Sequence, residues 1–148
     1  MTVHTEQRVM PFRPKQLFDL VADVKRYPEF LPWCVGARIR SSCEELIVAD
    51  LMIGYKLVRE RFTSRVSLDR PASRIDAKYA DGPFKYLDSY WIFRPHEGGC
   101  EVEFHVDFEF RNAVLQKIIA TLFNEAVKRM VAAFETRAHA LYGENAGD

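Results

Sequence analysis

The side chains best suited to acid–base or nucleophilic chemistry in this chain are Asp23, Glu29, Glu60, Asp88 and Cys34. A general acid or base must lie within hydrogen-bond reach of the proton it moves, and a nucleophile needs an activating base beside it. Nothing in the sequence pairs any of these carboxylates with a nucleophile, Cys34 has no identifiable base, and no GxSxG, Walker or GxGxxG loop occurs. The chain therefore reads as a non-enzyme. His4, His96, His105 and His139 fall on separate segments without i, i+4 pairs or Cys neighbours, so no metal site is expected and no cofactor is required. Cys34, Cys43 and Cys100 are an odd set with no CxxC, which suits a reducing compartment better than a disulfide framework.

Other polar groups sit within apolar stretches. In Leu57 to Leu68, Glu60 and Ser64 share a face with Val58, Phe62, Val66 and Leu68, while Arg59, Arg61, Thr63 and Arg65 point the other way. A buried carboxylate is costly unless paired or hydrated, so Glu60 either meets a cation at the rim or marks a wet cavity; pairing is the commoner outcome. In Phe84 to Arg94 the covered face holds Leu87, Ser89, Trp91 and Phe93, with Tyr86, Asp88, Tyr90 and Ile92 outward. Ser89 and the Trp91 indole are donors suited to a carbonyl-bearing ligand, though aromatic residues on an inner sheet face are more often plain core. Tyr79, inward with Ile75 and Ala77, has the same two readings.

These residues need elements to position them. Val3 to Met10 is expected as an edge strand, Pro14 to about Asp23–Lys25 as a short amphipathic helix, and Pro28 as the start of a brief second turn that Pro32 closes. Six strands follow, at Gly36 to Ser42, Leu46 to Ile53, Leu57 to Leu68, Arg74 to Ala80, Phe84 to Arg94 and Cys100 to Phe110. The breaks between them are short and rich in turn residues, so neighbours are antiparallel. In the last strand Cys100, Val102, Phe104, Val106, Phe108 and Phe110 alternate with Glu101, Glu103, His105, Asp107 and Glu109: one face is dry and must be covered.

Ala113 to Leu141 contains no Gly or Pro, follows the N-cap residue Asn112 and ends near Gly143. A helix of that length spans roughly 43 Å and is the only element able to cover the sheet. Leu115, Ile118, Ile119, Leu122, Phe123, Ala126, Met130, Phe134 and Leu141 form its expected apolar stripe, opposite Lys117, Thr121, Asn124, Glu125, Lys128, Glu135 and His139. Ala126 and Ala133 interrupt the large residues, either for close packing or to leave room. The architecture is α+β: a curved seven-stranded antiparallel sheet around a long C-terminal helix, with two short helices after the first strand. One domain, 1–148, is expected, with 143–148 as a mobile tail.

Lys plus Arg equals Asp plus Glu at 21 each, so no global field recruits nucleic acid or anionic membrane, and any such contact must be local. The polar Met1 to Met10 lacks the apolar run of a signal peptide, and no stretch reaches ~18 continuous apolar residues. A cytoplasmic protein is expected.

The segment Leu20-Val21-Ala22-Asp23-Val24-Lys25-Arg26-Tyr27-Pro28-Glu29-Phe30-Leu31-Pro32-Trp33-Cys34 resembles the signature of the coenzyme Q-binding START-domain family, within the polyketide cyclase/dehydrase-like superfamily. Arg61 to Val66 resembles that family's fourth strand, and Gly82-Pro83-Phe84-Lys85 with Leu87, Trp91 and Phe93 its sixth. The resemblance implies a helix-grip (START-like) fold with an apolar tunnel between sheet and helix. It also implies a carrier or chaperone for ubiquinone or another isoprenoid lipid that supports respiratory electron transport. On that basis Leu31 and Trp33 are placed at the tunnel mouth, where Lys25 and Arg26 suit peripheral contact with the cytoplasmic face of a membrane. Phe62, Trp91 and Phe104 on the sheet, and Phe123, Ala126, Val127, Met130 and Phe134 on the helix, are the remaining candidate ligand contacts. Two alternatives stay open. Similar bacterial proteins are described as toxins that block ribosomal subunit association, for which Arg59, Arg61 and Arg65 offer a local RNA-contacting patch. Others on this fold are polyketide cyclases. DNA is not an expected partner.

Overall fold

Strict alternation at Gly99–Phe110 makes that segment a strand with one buried face: Cys100, Val102, Phe104, Val106 and Phe108 are all at most 7% exposed. The computed structural model describes residues 2–55 and 58–143. The elements are β1 (Thr2–Met10), α1 (Pro14–Ala22), a 3₁₀ helix (Val24–Glu29), β2 (Cys34–Ser42), β3 (Leu46–Tyr55), β4 (Val58–Asp69), β5 (Arg74–Asp81), β6 (Phe84–His96), β7 (Gly99–Phe110) and α2 (Ala113–Tyr142). The strands form one seven-stranded sheet ordered β1-β7-β6-β5-β4-β3-β2, antiparallel throughout. The expected edge strand is therefore present, paired with β7 rather than with its sequence neighbour. β2 begins at Cys34, two residues earlier than its apolar pattern suggests, and Trp33 turns the chain into it at φ 66°.

Two expectations are corrected. Pro28 lies inside the 3₁₀ helix, which begins four residues earlier at Val24; each 3₁₀ turn needs few backbone donors, so a proline near its end is tolerated. The stripe of α2 is also shifted. The side chains of Ile119, Thr121 and Leu122 lie outside the described ones; among the rest the buried residues are Phe123, Val127, Val131, Phe134 and Ala138, whereas Ile118 is 42% and Leu141 51% exposed. Val114 near the helix start is 66% exposed as well. His139, expected on the wet face, sets its ring edge-on to Phe12 at 4.9 Å. The turn residues Lys56 and Leu57, and the expected tail at 144–148, lie outside the described residues.

Contacts from several elements fix α2 across the sheet. Arg137 donates to Glu29 at 2.8 Å and lies over the Phe30 ring, while Arg8 on β1 donates to Glu135 at 3.0 Å. The Tyr142 hydroxyl donates to the Gln16 carbonyl of α1 at 3.1 Å. Phe134 meets Trp91 edge-on at 5.0 Å, the central helix-to-sheet aromatic contact. At its start the Asn112 side chain accepts from the backbone N–H of Val114 (2.8 Å) and Leu115 (3.2 Å). Replacing Asn112 with Ala strips both bonds and is expected to cost about 1 kcal/mol of stability. Urea unfolding checks this: the midpoint falls while the slope stays that of the unsubstituted protein.

Candidate functional site

Small residues at the centre of the sheet leave it unable to fill the space beneath α2. Across four strands Val66, Ala77, Ser89 and Val106 lie side by side in register, and Ser64 lies beside Tyr79 in the adjoining row. Larger side chains frame them, with Leu51 and Phe62 on one side, and Ile75, Trp91 and Phe104 on the other. The result is a cavity of about 200 Å³. Met130 and Phe134 of α2 roof it, and Val21, Val24, Tyr27 and Leu31 from α1 through the following bend close its side. Trp91, Phe104, Ile75 and Phe134 are buried, whereas Leu31, Leu51, Phe62, Leu87 and Met130 are half-buried and mark the outer part.

The wall is apolar with a few hydroxyls. Ser89 donates to the Ala77 carbonyl at a long 3.4 Å, and the buried Ser64 hydroxyl has no hydrogen-bond partner among the described residues. The Tyr27 hydroxyl donates to the Val21 carbonyl, and burial pushes its pKa up, so it remains a neutral donor. None of the candidate acid–base groups reaches this space. Glu29 is held by Arg137 and Arg26, and the Arg137 hydrogen bond lowers its pKa. Asp23 pairs with Arg26 at 3.6 Å and Asp88 is exposed. Glu60 is half-buried but neither lines the cavity nor has an ion pair among the described residues, so the expected rim pairing is absent there. Burial raises the Cys34 pKa and keeps it a thiol. Among the described residues no cluster of His, Cys, Asp and Glu could hold a metal ion.

Of the candidate contacts, Leu31, Phe62, Trp91, Phe104, Met130 and Phe134 come together on this wall. Trp33, Phe123, Ala126 and Val127 do not. Trp33 is half-buried beside the β3 end, its carbonyl accepting from the Gly54 N–H at 2.8 Å. Phe123 packs on Phe108 with ring centroids 4.8 Å apart and meets His4 of β1. Among the described residues α2 contributes Met130 and Phe134 to the wall. Val21, Val24, Tyr27 and Leu51 are wall residues missing from the sequence candidates; the alternation Ile47, Ala49, Leu51 was a usable signal for the last.

A family model described as polyketide cyclase / dehydrase and lipid transport matches residues 10–135. The Rickettsia prowazekii protein named "Ribosome association toxin RatA" is 42% identical over 134 residues, covering 88% of this chain and 92% of that one. "Coenzyme Q-binding protein COQ10 homolog B, mitochondrial" of Xenopus laevis is 35% identical over 145 residues, covering 95% of this chain and 59% of its own. The solution structure of an 18 kDa Caulobacter crescentus protein superposes with a TM-score of 0.80 at 37% identity, over 97% of this chain and 99% of that one. An aromatase/cyclase from Streptomyces sp. R1128 superposes at 0.83 over 93% of each chain, but at 14% identity it supports the fold alone.

Burial has a direct chemical consequence for the three thiols. Cys43 is exposed, whereas Cys34 and Cys100 are buried, and burial pushes the Cys100 pKa up to about 12. At pH 8 an aromatic disulfide reagent is expected to titrate Cys43 rapidly and the other two only at the rate of unfolding. Absorbance of the released thiolate checks this, with Cys43→Ser removing the fast phase.

Proposed function

The chain belongs to the polyketide cyclase/dehydrase and lipid transport family, in its coenzyme Q-binding START-type group, and from that premise we propose that it binds ubiquinone or a similar isoprenoid lipid without transforming it. The observation that carries this reading is the apolar cavity under α2, whose buried Ser64 hydroxyl has no hydrogen-bond partner among the described residues. Such a group is a donor waiting for a ligand oxygen. Each isoprene unit adds several carbons worth about 0.8 kcal/mol per buried CH₂. The cavity of about 200 Å³ is below the roughly 300–1,000 Å³ of ordinary small-molecule sites. A headgroup or a short part of a tail fits within it; a longer tail has to emerge past the half-buried Leu31, Phe62 and Met130.

A carrier role follows from what surrounds the cavity. Among the described residues no carboxylate, imidazole or thiolate lines it, so a bound carbonyl meets hydroxyls and hydrocarbon. Among the described residues no helix is long and apolar enough to cross a membrane, and lipid exchange would use peripheral contact at its cytoplasmic face. The proposed role is to hold and deliver the lipid in support of respiratory electron transport.

Ribosome association is a second reading, favoured by the 42% and 36% identity to proteins named RatA along nearly their whole lengths. The two readings use different parts of the molecule.

Mass spectrometry of the organic extract of native protein, expressed in a ubiquinone-producing host, tests the lipid reading. A quinone or other prenyl lipid is expected, and an empty extract counts against it. Ala77→Leu places carbon inside the cavity and is expected to lower the lipid recovered by about tenfold or more, equivalent to 1.4 kcal/mol. Ala126→Leu, outside the wall, is expected to leave recovery near that of the unsubstituted protein. Equal losses in both would remove the cavity from the explanation.

A further inference from the structure

Zero net charge conceals a segregation of charge over the surface. Most arginines outside one region are engaged: Arg8, Arg70, Arg74 and Arg137 each hold a carboxylate at 2.7 to 3.0 Å. Acidic side chains gather at one end of β4 and β5, where Asp19, Asp23, Glu44, Glu45, Asp69 and Asp76 line an open groove. On the outer face of β2–β5 the pattern reverses. Arg38, Arg61, Arg65 and Lys78 are exposed and have no ion pair or hydrogen bond with any described residue.

Register turns these four into one surface. Arg65 pairs directly with Lys78, Arg61 is on the same strand four residues back, and Arg38 lies in the row of Asp50 and Thr63 that passes between Arg61 and Arg65. With strands ~4.8 Å apart and ~3.3 Å per residue, the cations span roughly 13 by 14 Å. The carboxylate at the centre is already spoken for: buried Asp50 accepts from Thr63 at 2.6 Å and from Arg40 Nε at 2.8 Å.

We propose that this outer face of β2–β5, carried by Arg38, Arg61, Arg65 and Lys78, binds the phosphate backbone of RNA. Guanidinium forks match phosphate oxygens, and a rigid strand lattice holds several at once. Exposed non-cationic neighbours include Met52 at 37%, Val35 at 60% and Asp88, which pairs in register with Lys78; the adjoining Tyr90 ring is half-buried, stacked on His105 and covered by Arg74, so the contact is to the backbone and independent of sequence. A membrane is the poorer match, because this surface lacks the aromatic and leucine-rich face that enters a headgroup layer, and docking it there turns the lipid cavity away from the bilayer. The proposal deepens the ribosome reading, rests on it for the identity of the RNA, and is independent of the lipid reading.

Fluorescence anisotropy with a labelled single-stranded RNA of about 20 mixed nucleotides, followed across a salt series, is the test. Four phosphate contacts give a slope of log K against log salt of about −3, and Arg61→Gln with Arg65→Gln is expected to bring it to about −1.4 with at least a tenfold loss of affinity at low salt. Arg129→Gln on α2, removing one cation elsewhere, is expected to leave both unchanged. Circular dichroism and recovered lipid equal to the unsubstituted protein show that the double variant is folded. Absence of RNA binding by the unsubstituted protein, equal binding by the double variant, or binding of phosphatidylglycerol vesicles but not RNA through these residues overturns the proposal. Sucrose gradients separate its failure from that of the ribosome reading. If the unsubstituted protein and the double variant disturb subunit association equally, ribosome action stands and this surface falls; loss of the effect in the double variant alone supports the surface.

Discussion

The constraint on which the rest depends is that a strongly curved sheet has to bury one apolar face against a single helix. Aromatic residues can bridge the gap where the helix comes close, as Trp91 and Phe134 do at 5.0 Å. At the middle of the sheet the facing residues are Ala77, Ser64 and Ser89, which are too short to reach α2. Dense interiors leave few voids larger than a water molecule, because each empty contact forfeits dispersion energy. A void of about 200 Å³ bounded by Phe62, Trp91, Phe104 and Phe134 is therefore a feature that the surrounding packing must hold open.

What holds it open is the stiffness of its edges. Phe84 stacks on Phe110 at 4.6 Å and meets Phe62 and Tyr79 edge-on, while Phe123 meets Phe108 at 4.8 Å, so the rims are rings braced against rings. On the remaining side the 3₁₀ helix is tied to α2 through Glu29 and Arg137, and Tyr27 and Phe30 both pack edge-on to Phe134. Movement of α2 away from the sheet has to break these contacts together. Movement of Leu31 and Met130, which are half-buried, does not. The cavity is thus closed by rigid aromatic contacts at its deep end and by flexible aliphatic ones at its outer end.

Much of this frame was legible in the sequence, because strand parity is a local property. The alternation in β7 and the punctuation at Asp81-Gly82-Pro83 identify strands without knowledge of their neighbours, and Asn112 announces α2. Parity on β4 and β6 likewise put Phe62, Trp91 and Ser89 on the inner face. The phase and depth of α2 were less legible. Which turns of a helix are covered depends on where the sheet ends in space, and Ile118 and Phe123 look equally apolar in the sequence although one is 42% and the other 7% exposed. Tyr27 was missed for a related reason: a 3₁₀ turn has no long periodic pattern to show that a side chain points inward. Ion pairing was invisible too, since Arg137 finds Glu29 across 108 residues.

The same parity that made β4 readable also makes it the element on which both proposed surfaces meet. Phe62, Ser64 and Val66 face the cavity, and Arg61 and Arg65, next to them in the chain, face outward. The sheet separates the two environments by one layer of backbone, so a ligand and a polyanion never touch. Any free energy exchanged between them must pass through displacement of the shared strands, β4 among them, and such coupling is reciprocal. The Thr63/Ser64 irregularity in the β4–β5 pairing lies in the middle of that route, where the ladder is least regular and Asp50 ties Thr63 to Arg40. A shift of Ser64 toward a bound oxygen would draw on that hydrogen-bonded set directly, so this bulge is where the two proposed surfaces would be coupled.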